Sequence, residues 1–224
     1  NLEDVTLRAL RILKEADVIV CEDTRVTKKL LNSYDISYEK LESLNARSEE
    51  RKTGRIIDFL KKGRNVALVT DAGTPTVSDP GTRLVSEARQ ARISVETVPG
   101  PSALTSALSI AGVPASEFLF LGFLPHKKGR ETLFKEIANT KRVVVFYESP
   151  HRIKKTLLAL QKHLESKQAT LARPAGGYRM ITVARELTKI YEEVVQGKVS
   201  EILEYFNENP DKVRGEFVVL VSVQ

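Results

Sequence analysis

The chain has 224 residues, of which 42% are hydrophobic and 29% are charged. This length suits one large domain or two domains of about 100 residues each. Its net charge of +6 at pH 7 favours an anionic partner but does not establish one. The single cysteine, Cys21, excludes an internal disulfide framework, and the apolar runs are too short to span a bilayer. We therefore expect a soluble cytoplasmic protein.

Helices and strands alternate through the first half of the chain. A helix is predicted over 3–16, where Val5, Ala9 and Ile12 recur at helical spacing. The other predicted helices lie near 24–33, 47–62, 80–91 and 102–112, and the predicted strands near 18–21, 65–70 and 93–98. The run VALV at 66–69 is apolar throughout and flanked by helices, which is typical of a parallel sheet covered on both faces. Residues 1–114 are therefore predicted to form an N-terminal α/β domain.

Strands outnumber helices in the second half. Strands are predicted at 118–123, 142–147, 181–184, 190–195 and 216–223, and helices near 130–139, 150–164 and 200–208. The least regular segment, LARPAGGYRM at 171–180, is predicted to be a surface loop or hairpin. Residues 115–224 are predicted to form a mixed α+β domain, so the fold class is α/β with two domains.

Two stiff loops follow predicted strands of the first domain. In TDAGTPTVSDPG at 70–81, Asp79 followed by Pro80 is typical of a helix start, with Asp79 as the N-cap. The segment VPGPSALTSAL at 98–108 repeats this arrangement, with Ser102 as the predicted cap. Because ligands bind outside the carboxyl ends of parallel strands, two such loops indicate one shared crevice. The absence of GxxxxGK[ST] and GxGxxG argues against a nucleoside triphosphate or a dinucleotide.

Eight motifs then point to a family. They are EDTR (22–25), TDAGTP (70–75), SDPG (78–81), PGPSA (99–103), GFLP (122–125), FYESPHR (146–152), ARELTK (184–189) and GEFVVLV (215–221). In these motifs and their order, nearly the whole chain resembles the ribosomal RNA small-subunit methyltransferase I family of the tetrapyrrole methylase superfamily. The resemblance implies a two-domain α/β methyltransferase, usually a homodimer, that binds S-adenosylmethionine in the cleft between its domains. The implied reaction is methylation of a cytidine ribose 2′-hydroxyl in small-subunit rRNA.

The resemblance also implies which residues bind the cofactor. In the first domain these are Asp71, Gly73, Thr74, Gly100, Ser102 and Ala103, in loops whose small residues allow close approach to a ligand. In the second domain they are Phe146, Tyr147, Ala184, Arg185, Glu216 and Phe217, which the family places near the adenine. An aromatic ring there would stack on the base or meet the sulfonium. For Phe146 and Phe217 the alternative is a purely structural place in the core.

A general base is expected to assist, because a ribose hydroxyl is a poor nucleophile for in-line methyl transfer. The polar candidates in motif positions are Glu22, Asp23, Glu148, His151 and Glu186. The structural alternatives are that Glu148 pairs with Arg152 or Arg185, and that Glu22 or Asp23 caps the helix near residue 24. No metal site is expected.

Positive charge is concentrated between residues 125 and 155. This stretch has nine Lys or Arg against three Glu, an excess equal to that of the whole chain. Such a basic stripe would follow an RNA backbone, although a solvated surface is the common alternative. The predicted RNA contacts are Arg25, Lys127, Lys128, Arg130, Arg152, Lys154 and Lys155.

Two departures from the family leave alternatives open. Family members begin with a strand and a TPIGN turn, of which only Asn1 is present, so we expect a preceding part of the site to be missing. Segment 171–180 is also longer than is usual in the family. The alternative functions are methylation of a small molecule or a modified protein side chain, as in relatives acting on corrinoid precursors and diphthamide, and RNA binding without catalysis.

Overall fold

A computed structural model describes residues 1–164 and 179–223. The chain divides into two compact units, Asn1–Ser102 and Ala103–Gln224. This division precedes the predicted boundary between residues 114 and 115 because the helix that starts at Ala103 packs on the sheet of the second unit. Most of the predicted loop at 171–180 lies outside the described residues, and its last two residues begin a strand.

The N-terminal unit contains a three-stranded parallel sheet in the order β2-β1-β3. The strands are β1 Val18–Cys21, β2 Lys40–Ser43 and β3 Val66–Val69, and the helices are α1 Leu7–Glu15, α2 Thr24–Ser33, α3 Glu49–Lys61 and α4 Thr82–Gln90, after a 3-10 turn at Leu2–Asp4. Val18 and Val20 of the central strand pack against α3 and α4, whereas Ile19 packs against α1 and α2. Both faces are thus covered, which confirms the predicted parallel sheet.

The strands of this unit differ from the prediction in two places. Segment 93–98, ISVETV, is rich in β-branched residues, but it has no regular structure, so the strand predicted there was wrong. Instead of joining a ladder, the carbonyl of Thr97 accepts a hydrogen bond from Arg8 at 3.2 Å. Strand β2 was missed because its sequence, KLES, is half charged. Its position at the edge of the sheet leaves these residues only partly buried, so polar side chains are tolerated there.

The C-terminal unit contains a five-stranded mixed sheet in the order β4-β5-β8-β6-β7. The strands are β4 Phe118–Phe123, β5 Val143–Glu148, β6 Arg179–Arg185, β7 Glu193–Gly197 and β8 Phe217–Val223. The helices are α5 Ala103–Ile110, α6 Arg130–Asn139, α7 Ile153–Leu164 and α8 Val199–Glu208, followed by a 3-10 turn at Pro210–Lys212. Strands β4 and β5 are parallel and the other pairs are antiparallel. This arrangement is the predicted α+β type.

The two faces of this sheet have different cores. Val144 and Phe146 of β5 point to the face covered by α6, α7 and α8. Val143 and Val145 point to the opposite face, which α5 covers. Because strand side chains alternate, neighbouring motif residues on one strand belong to different surroundings. This alternation decides which of the predicted site residues can meet a ligand.

Candidate functional site

The carboxyl ends of the N-terminal strands bring two motifs together. Cys21 pairs with both Ser43 and Val69, so the three strands end at the same level. The hydroxyl of Thr70 donates to Glu22 Oε2 at 3.2 Å. The backbone amide of Asp23 donates to Asp71 Oδ1, also at 3.2 Å. Segments 22–25 and 70–81, hereafter the N-terminal edge, are therefore linked directly.

The carboxylates of this edge differ in their surroundings. Asp23 accepts hydrogen bonds from the backbone amide of Arg25 at 2.8 Å and from its guanidinium at 2.6 Å, and it is the N-cap of α2. The hydrogen bond from the Arg25 side chain lowers the pKa of Asp23 to about 2. Desolvation of its carboxyl group by the surrounding protein, together with the charges of Glu22 and Asp23, raises the pKa of Asp71, although the residue as a whole is exposed. Asp23 thus has the structural role of a cap, the alternative that the sequence left open.

The loop between β3 and α4 is shaped by backbone conformation. Gly73 has φ of 75°, and a Cβ placed there would meet nothing within 4 Å. Thr76 and Ser78 also have positive φ, of 73° and 67°. Gly81, at φ of 122°, is closely packed, since a Cβ there would lie 2.7 Å from Leu68 Cδ2. The loop is therefore tight at its end and open beside Gly73.

The predicted helix start at Asp79 and Pro80 was wrong. Helix α4 begins at Thr82, with Gly81 as the N-cap residue. The side-chain acceptor comes from α3, because Glu49 Oε1 receives the backbone amides of Gly81 at 3.0 Å and Arg83 at 2.9 Å. A carboxylate distant in sequence satisfies the free amides at this helix start, which local patterns cannot reveal.

The second loop, which contains the motif at 99–103, is hydrogen-bonded to the residue that precedes helix α1. The hydroxyl of Thr6 donates to the carbonyl of Pro99 at 3.3 Å and also caps α1 through the amide of Ala9. Gly100 and Ala103 are exposed and Ser102 is partly exposed. Asp71, Gly73 and Thr74 of the first loop are exposed as well. All six residues predicted in these loops are thus accessible, which fits a role in holding a ligand.

In the C-terminal unit, predicted residues meet at one end of the sheet. Phe217, at the start of β8, is paired with both Glu148 at the end of β5 and Arg185 at the end of β6. Phe146 and Phe217 are 0% and 1% exposed and belong to the core beneath α6, α7 and α8. Their rings are enclosed by protein, as the structural alternative expects.

Tyr147 and Ala184 lie on the other face, beside α5. Ala184 is almost completely buried, whereas Tyr147 is partly exposed. The Tyr147 ring contacts Phe120 edge-on with centroids 5.0 Å apart, and it contacts Phe123 at 5.5 Å. Of the aromatic residues predicted near the cofactor, Tyr147 is the one with an accessible ring.

Arg185 and Glu186 organise the loops at this end of the sheet. Arg185 is 6% exposed and donates to the carbonyls of Lys212 at 2.9 Å and Tyr191 at 3.0 Å. Glu186 Oε1 accepts from Lys189 Nζ at 2.8 Å and from the amide of Glu216 at 3.1 Å. Partial burial opposes ionisation of Glu186, but these two hydrogen bonds outweigh it and lower its pKa.

Glu148 is the centre of a second set of contacts. Its side chain is fully buried, and its Oε1 accepts from Arg152 Nε at 2.7 Å and from the amide of Ser149 at 2.8 Å. Its Oε2 accepts from Thr156 Oγ1 at 2.6 Å and from Arg152 Nη2 at 3.0 Å. A carboxylate with both oxygens doubly occupied is poorly placed to take a proton from a substrate. The pairing with Arg152 is the one foreseen as an alternative.

Two predicted RNA contacts belong to the same set. Arg152 Nη2 also donates to the carbonyl of Leu124 at 2.7 Å. Arg130 donates to the carbonyl of Pro125 at 2.9 Å and to Thr156 Oγ1 at 2.7 Å. We call these residues, with Glu148, the Glu148 network. The network holds the carbonyls of Leu124 and Pro125, which directly precede segment 126–129. We call segment 126–129 the basic turn.

The other predicted polar residues are at the surface. Lys127, Lys128, His151 and Lys155 are exposed, and Lys154 is partly buried. The Arg25 side chain is 86% exposed and pairs with Asp23. Thr6, Glu49 and Thr156 were not predicted as parts of either site, because their partners are distant in sequence. Among residues 1–164 and 179–223, no three His, Cys, Asp or Glu side chains are grouped as metal ligands, and no helix is long and apolar enough to cross a membrane.

Comparisons with known proteins identify the family and the fold. Residues 1–203 match the family described as Tetrapyrrole (Corrin/Porphyrin) Methylases. Two solved structures share the fold. The structure of cobalt precorrin-4 methyltransferase, a cobalamin biosynthetic enzyme, matches with a TM-score of 0.68 at 17% identity, and the match covers 99% of this chain and 90% of that protein's chain. The methyltransferase CobJ has a TM-score of 0.67 at 20% identity and covers 98% of this chain and 88% of its own. The class defined by the fold is therefore that of the tetrapyrrole methylases.

Sequence relatives narrow this class. Ribosomal RNA small subunit methyltransferase I of Thermotoga maritima is 44% identical over 222 residues, which are 99% of this chain and 93% of that protein. The protein of the same name from Halalkalibacterium halodurans is 45% identical over 223 residues, which are 99% of this chain and 72% of that protein. The chain belongs to the ribosomal RNA small subunit methyltransferase I family.

Proposed function

We propose that this chain transfers a methyl group from S-adenosylmethionine to small-subunit rRNA, and that the acceptor is the 2′-hydroxyl of a cytidine ribose. Membership of the family supports the reaction class. The observation that carries the proposal is the N-terminal edge, where two family motifs are joined by hydrogen bonds beside an open glycine loop. A cytoplasmic location and the homodimer implied by the resemblance belong to the same proposal.

The exposed loops are proposed to hold the cofactor. When bound, S-adenosylmethionine supplies a methyl group activated by a sulfonium. Asp71, Gly73 and Thr74 present a carboxylate and accessible backbone groups for its polar parts. Gly100, Ser102 and Ala103 form the second stretch of accessible backbone.

The C-terminal unit is proposed to contribute a smaller set of cofactor contacts. The Tyr147 ring and the exposed Glu216 are accessible to a ligand. Ala184 is proposed to act through its small size, and the buried Phe146, Arg185 and Phe217 to support the strands that present these groups.

Two of the five candidate bases fit a proton-transfer role better than the others. Asp23, Glu148 and Glu186 each accept several hydrogen bonds within their own unit. Glu22 accepts one from Thr70, and His151 is exposed in the turn before α7. We propose Glu22 or His151 as the group that receives the ribose hydroxyl proton.

RNA is the acceptor class that the surface charge favours. Lys127 and Lys128 are exposed in the basic turn, and Lys155 is exposed near the start of α7. Exposed lysines can neutralise phosphates, whereas Arg130 and Arg152 are committed to the Glu148 network. A corrinoid acceptor is the second candidate, since one protein of similar fold is a cobalt precorrin-4 methyltransferase, but its 17% identity supports the fold alone.

The test is transfer of a labelled methyl group with three acceptors offered in parallel: small-subunit rRNA, assembled small subunits and a corrinoid precursor. Binding of the cofactor is measured separately by isothermal titration. We expect binding, with label incorporated only into RNA and recovered on a cytidine ribose. Label on the corrinoid would favour the second candidate, and RNA binding without cofactor binding would favour a non-catalytic protein.

A further inference from the structure

An irregularity in β4 changes the direction of its last residue. Phe120 is paired with Val145 and Phe123 with Tyr147, so β4 advances three residues where β5 advances two. Gly122, between them, has φ of 58°, a conformation that favours glycine. A bulge of this kind bends a strand and redirects the side chain that follows, and bulges are enriched beside binding sites.

The redirected side chain, Phe123, is 58% exposed. A single exposed apolar residue is ordinary by itself. This ring, however, rests on Tyr147 on one side and borders a pocket of about 300 Å³ on another. That volume is at the lower end of the range for small-ligand pockets, which is suited to a single flat group.

The rest of the pocket exposes mainly apolar surface, and its wall is rigid. Its lining includes His126, Glu148, Ser149 and Arg152. The Glu148 network holds the carbonyls of Leu124 and Pro125, so the wall next to Phe123 is fixed before any ligand arrives. The pocket therefore combines the Phe123 ring with a fixed and mainly apolar wall, because Glu148 and Arg152 are already paired with each other.

Positive charge continues from the pocket. Lys127 and Lys128 follow His126 directly and are exposed. An aromatic platform, an apolar wall and adjacent cations together match a nucleotide of single-stranded RNA, which is bound by stacking its base and neutralising its phosphates. We infer that one nucleobase of the RNA stacks on Phe123 and enters this pocket, while Lys127 and Lys128 contact the flanking phosphates. This inference rests on the proposed function, because it gives the RNA a specific point of contact.

The absence of tryptophan from the chain makes a direct test possible. Phe123→Trp introduces a single fluorophore at the pocket, and Phe118→Trp introduces one at the other end of the same strand, where the native ring is 37% exposed. Both variants are titrated with a short, unlabelled single-stranded oligoribonucleotide. We expect base stacking to quench the fluorescence of the Phe123→Trp variant strongly, and the Phe118→Trp variant to show a clearly smaller change.

Affinity is measured in parallel with a fluorescein-labelled oligoribonucleotide of the same sequence. Phe123→Leu keeps an apolar side chain but removes the ring, and Phe118→Leu is the matched control. Loss of one stacked base weakens binding about fivefold or more, so we expect that change for Phe123→Leu only. Far-UV circular dichroism and urea denaturation should show that both variants are folded under the assay conditions, which excludes unfolding as the cause.

The outcomes separate the two proposals. If the wild-type chain binds RNA but Phe123→Leu binds equally well and the Phe123→Trp variant is not quenched, the pocket is not an RNA site, and the proposed function stands. Equal quenching of the Phe123→Trp and Phe118→Trp variants would also overturn the assignment of this pocket as an RNA site. If the wild-type chain does not bind the oligoribonucleotide, the inference fails, and the proposed function fails only if methyl transfer to rRNA and to assembled small subunits is also absent.

Discussion

The N-terminal edge and the Glu148 network both contain family motif residues, yet their polar groups behave differently. At the N-terminal edge, Asp71, Gly73 and Thr74 are exposed beside open space. In the network, Glu148 is buried and each of its oxygens accepts two hydrogen bonds. Motif residues therefore divide into those that face a ligand and those that hold the backbone in place. Substitutions in the two regions should separate these roles.

The largest expected effect is on stability, at Glu148. Glu148→Ala removes the partner of Arg152 in a mostly buried ion pair, which should lower the free energy of unfolding by about 3 kcal/mol or more. Glu22→Ala, at the N-terminal edge, should cost well under half as much. Urea denaturation of both variants gives the comparison. Equal losses would mean that the two regions do not differ as proposed.

The second effect is on cofactor binding, at Gly73. Gly73→Leu should weaken binding of S-adenosylmethionine at least tenfold by filling the open space beside the loop. Gly63→Leu is the matched control, since Gly63 has φ of 78° against 75° for Gly73, and neither Cβ would meet another atom within 4 Å. Both substitutions should cost about 1 kcal/mol of stability through backbone strain. Calorimetric titration would contradict the assignment if both variants bound equally.

The third effect concerns the salt dependence of RNA binding. Replacing Lys127 and Lys128 by Ala removes two proposed phosphate contacts. For single-stranded RNA, the slope of log affinity against log salt should then fall in magnitude by about 1.4. The control replaces Lys61 and Lys62, an adjacent exposed pair at the end of α3. An unchanged slope would place the RNA elsewhere on the surface.

The smallest effect is on the pH dependence of stability. The pKa of Asp23 is lowered in the folded state to about 2, so its ion pair stabilises the fold above about pH 4, roughly the unfolded pKa, and this gain is lost as pH falls toward 2. Asp23→Asn should therefore be less stable than wild type at neutral pH, and the difference should disappear only below about pH 2.

Asp71 should show the opposite sign. Its pKa is raised in the folded state, so its ionised form opposes folding at neutral pH, and protonation relieves that cost as pH falls through the raised value. Asp71→Asn should be at least as stable as wild type at neutral pH. Denaturant titrations of both variants between neutral pH and pH 2 would test this difference. If both variants changed in stability in the same direction, the contrast proposed for Asp23 and Asp71 would be wrong.

The sequence predicted most elements because their periodicity is strong. VALV and VVVFY are apolar runs of strand length, and the helices between them have clear amphipathic spacing. Strand β2 could not be found this way, because a half-polar edge strand has no such pattern. The β-branched residues at 93–98 misled for the opposite reason, since they favour a strand only where a neighbouring strand is available to pair with.

The site was less predictable than the fold. The pairing of Glu148 with Arg152 was visible as a spacing of four residues, and the cap at Asp23 was visible from its place before α2. The burial of Phe146 could not be predicted in this way. The alternation of strand side chains shows that residues 146 and 148 share one face of the sheet, but it does not show that helices cover this face. Contacts such as Glu49 with Gly81 join distant segments, and these depend on tertiary structure alone.

The strand order of the C-terminal sheet has a consequence for biosynthesis. Strand β8 lies at its centre, between β5 and β6, although it is translated after every other strand of that sheet. The nascent C-terminal unit therefore has two incomplete halves with unpaired edges until β8 leaves the ribosome. The N-terminal sheet has all its strands by Val69 and can form earlier. Pulse proteolysis of stalled nascent chains should show early protection of the first unit and abrupt, late protection of the second.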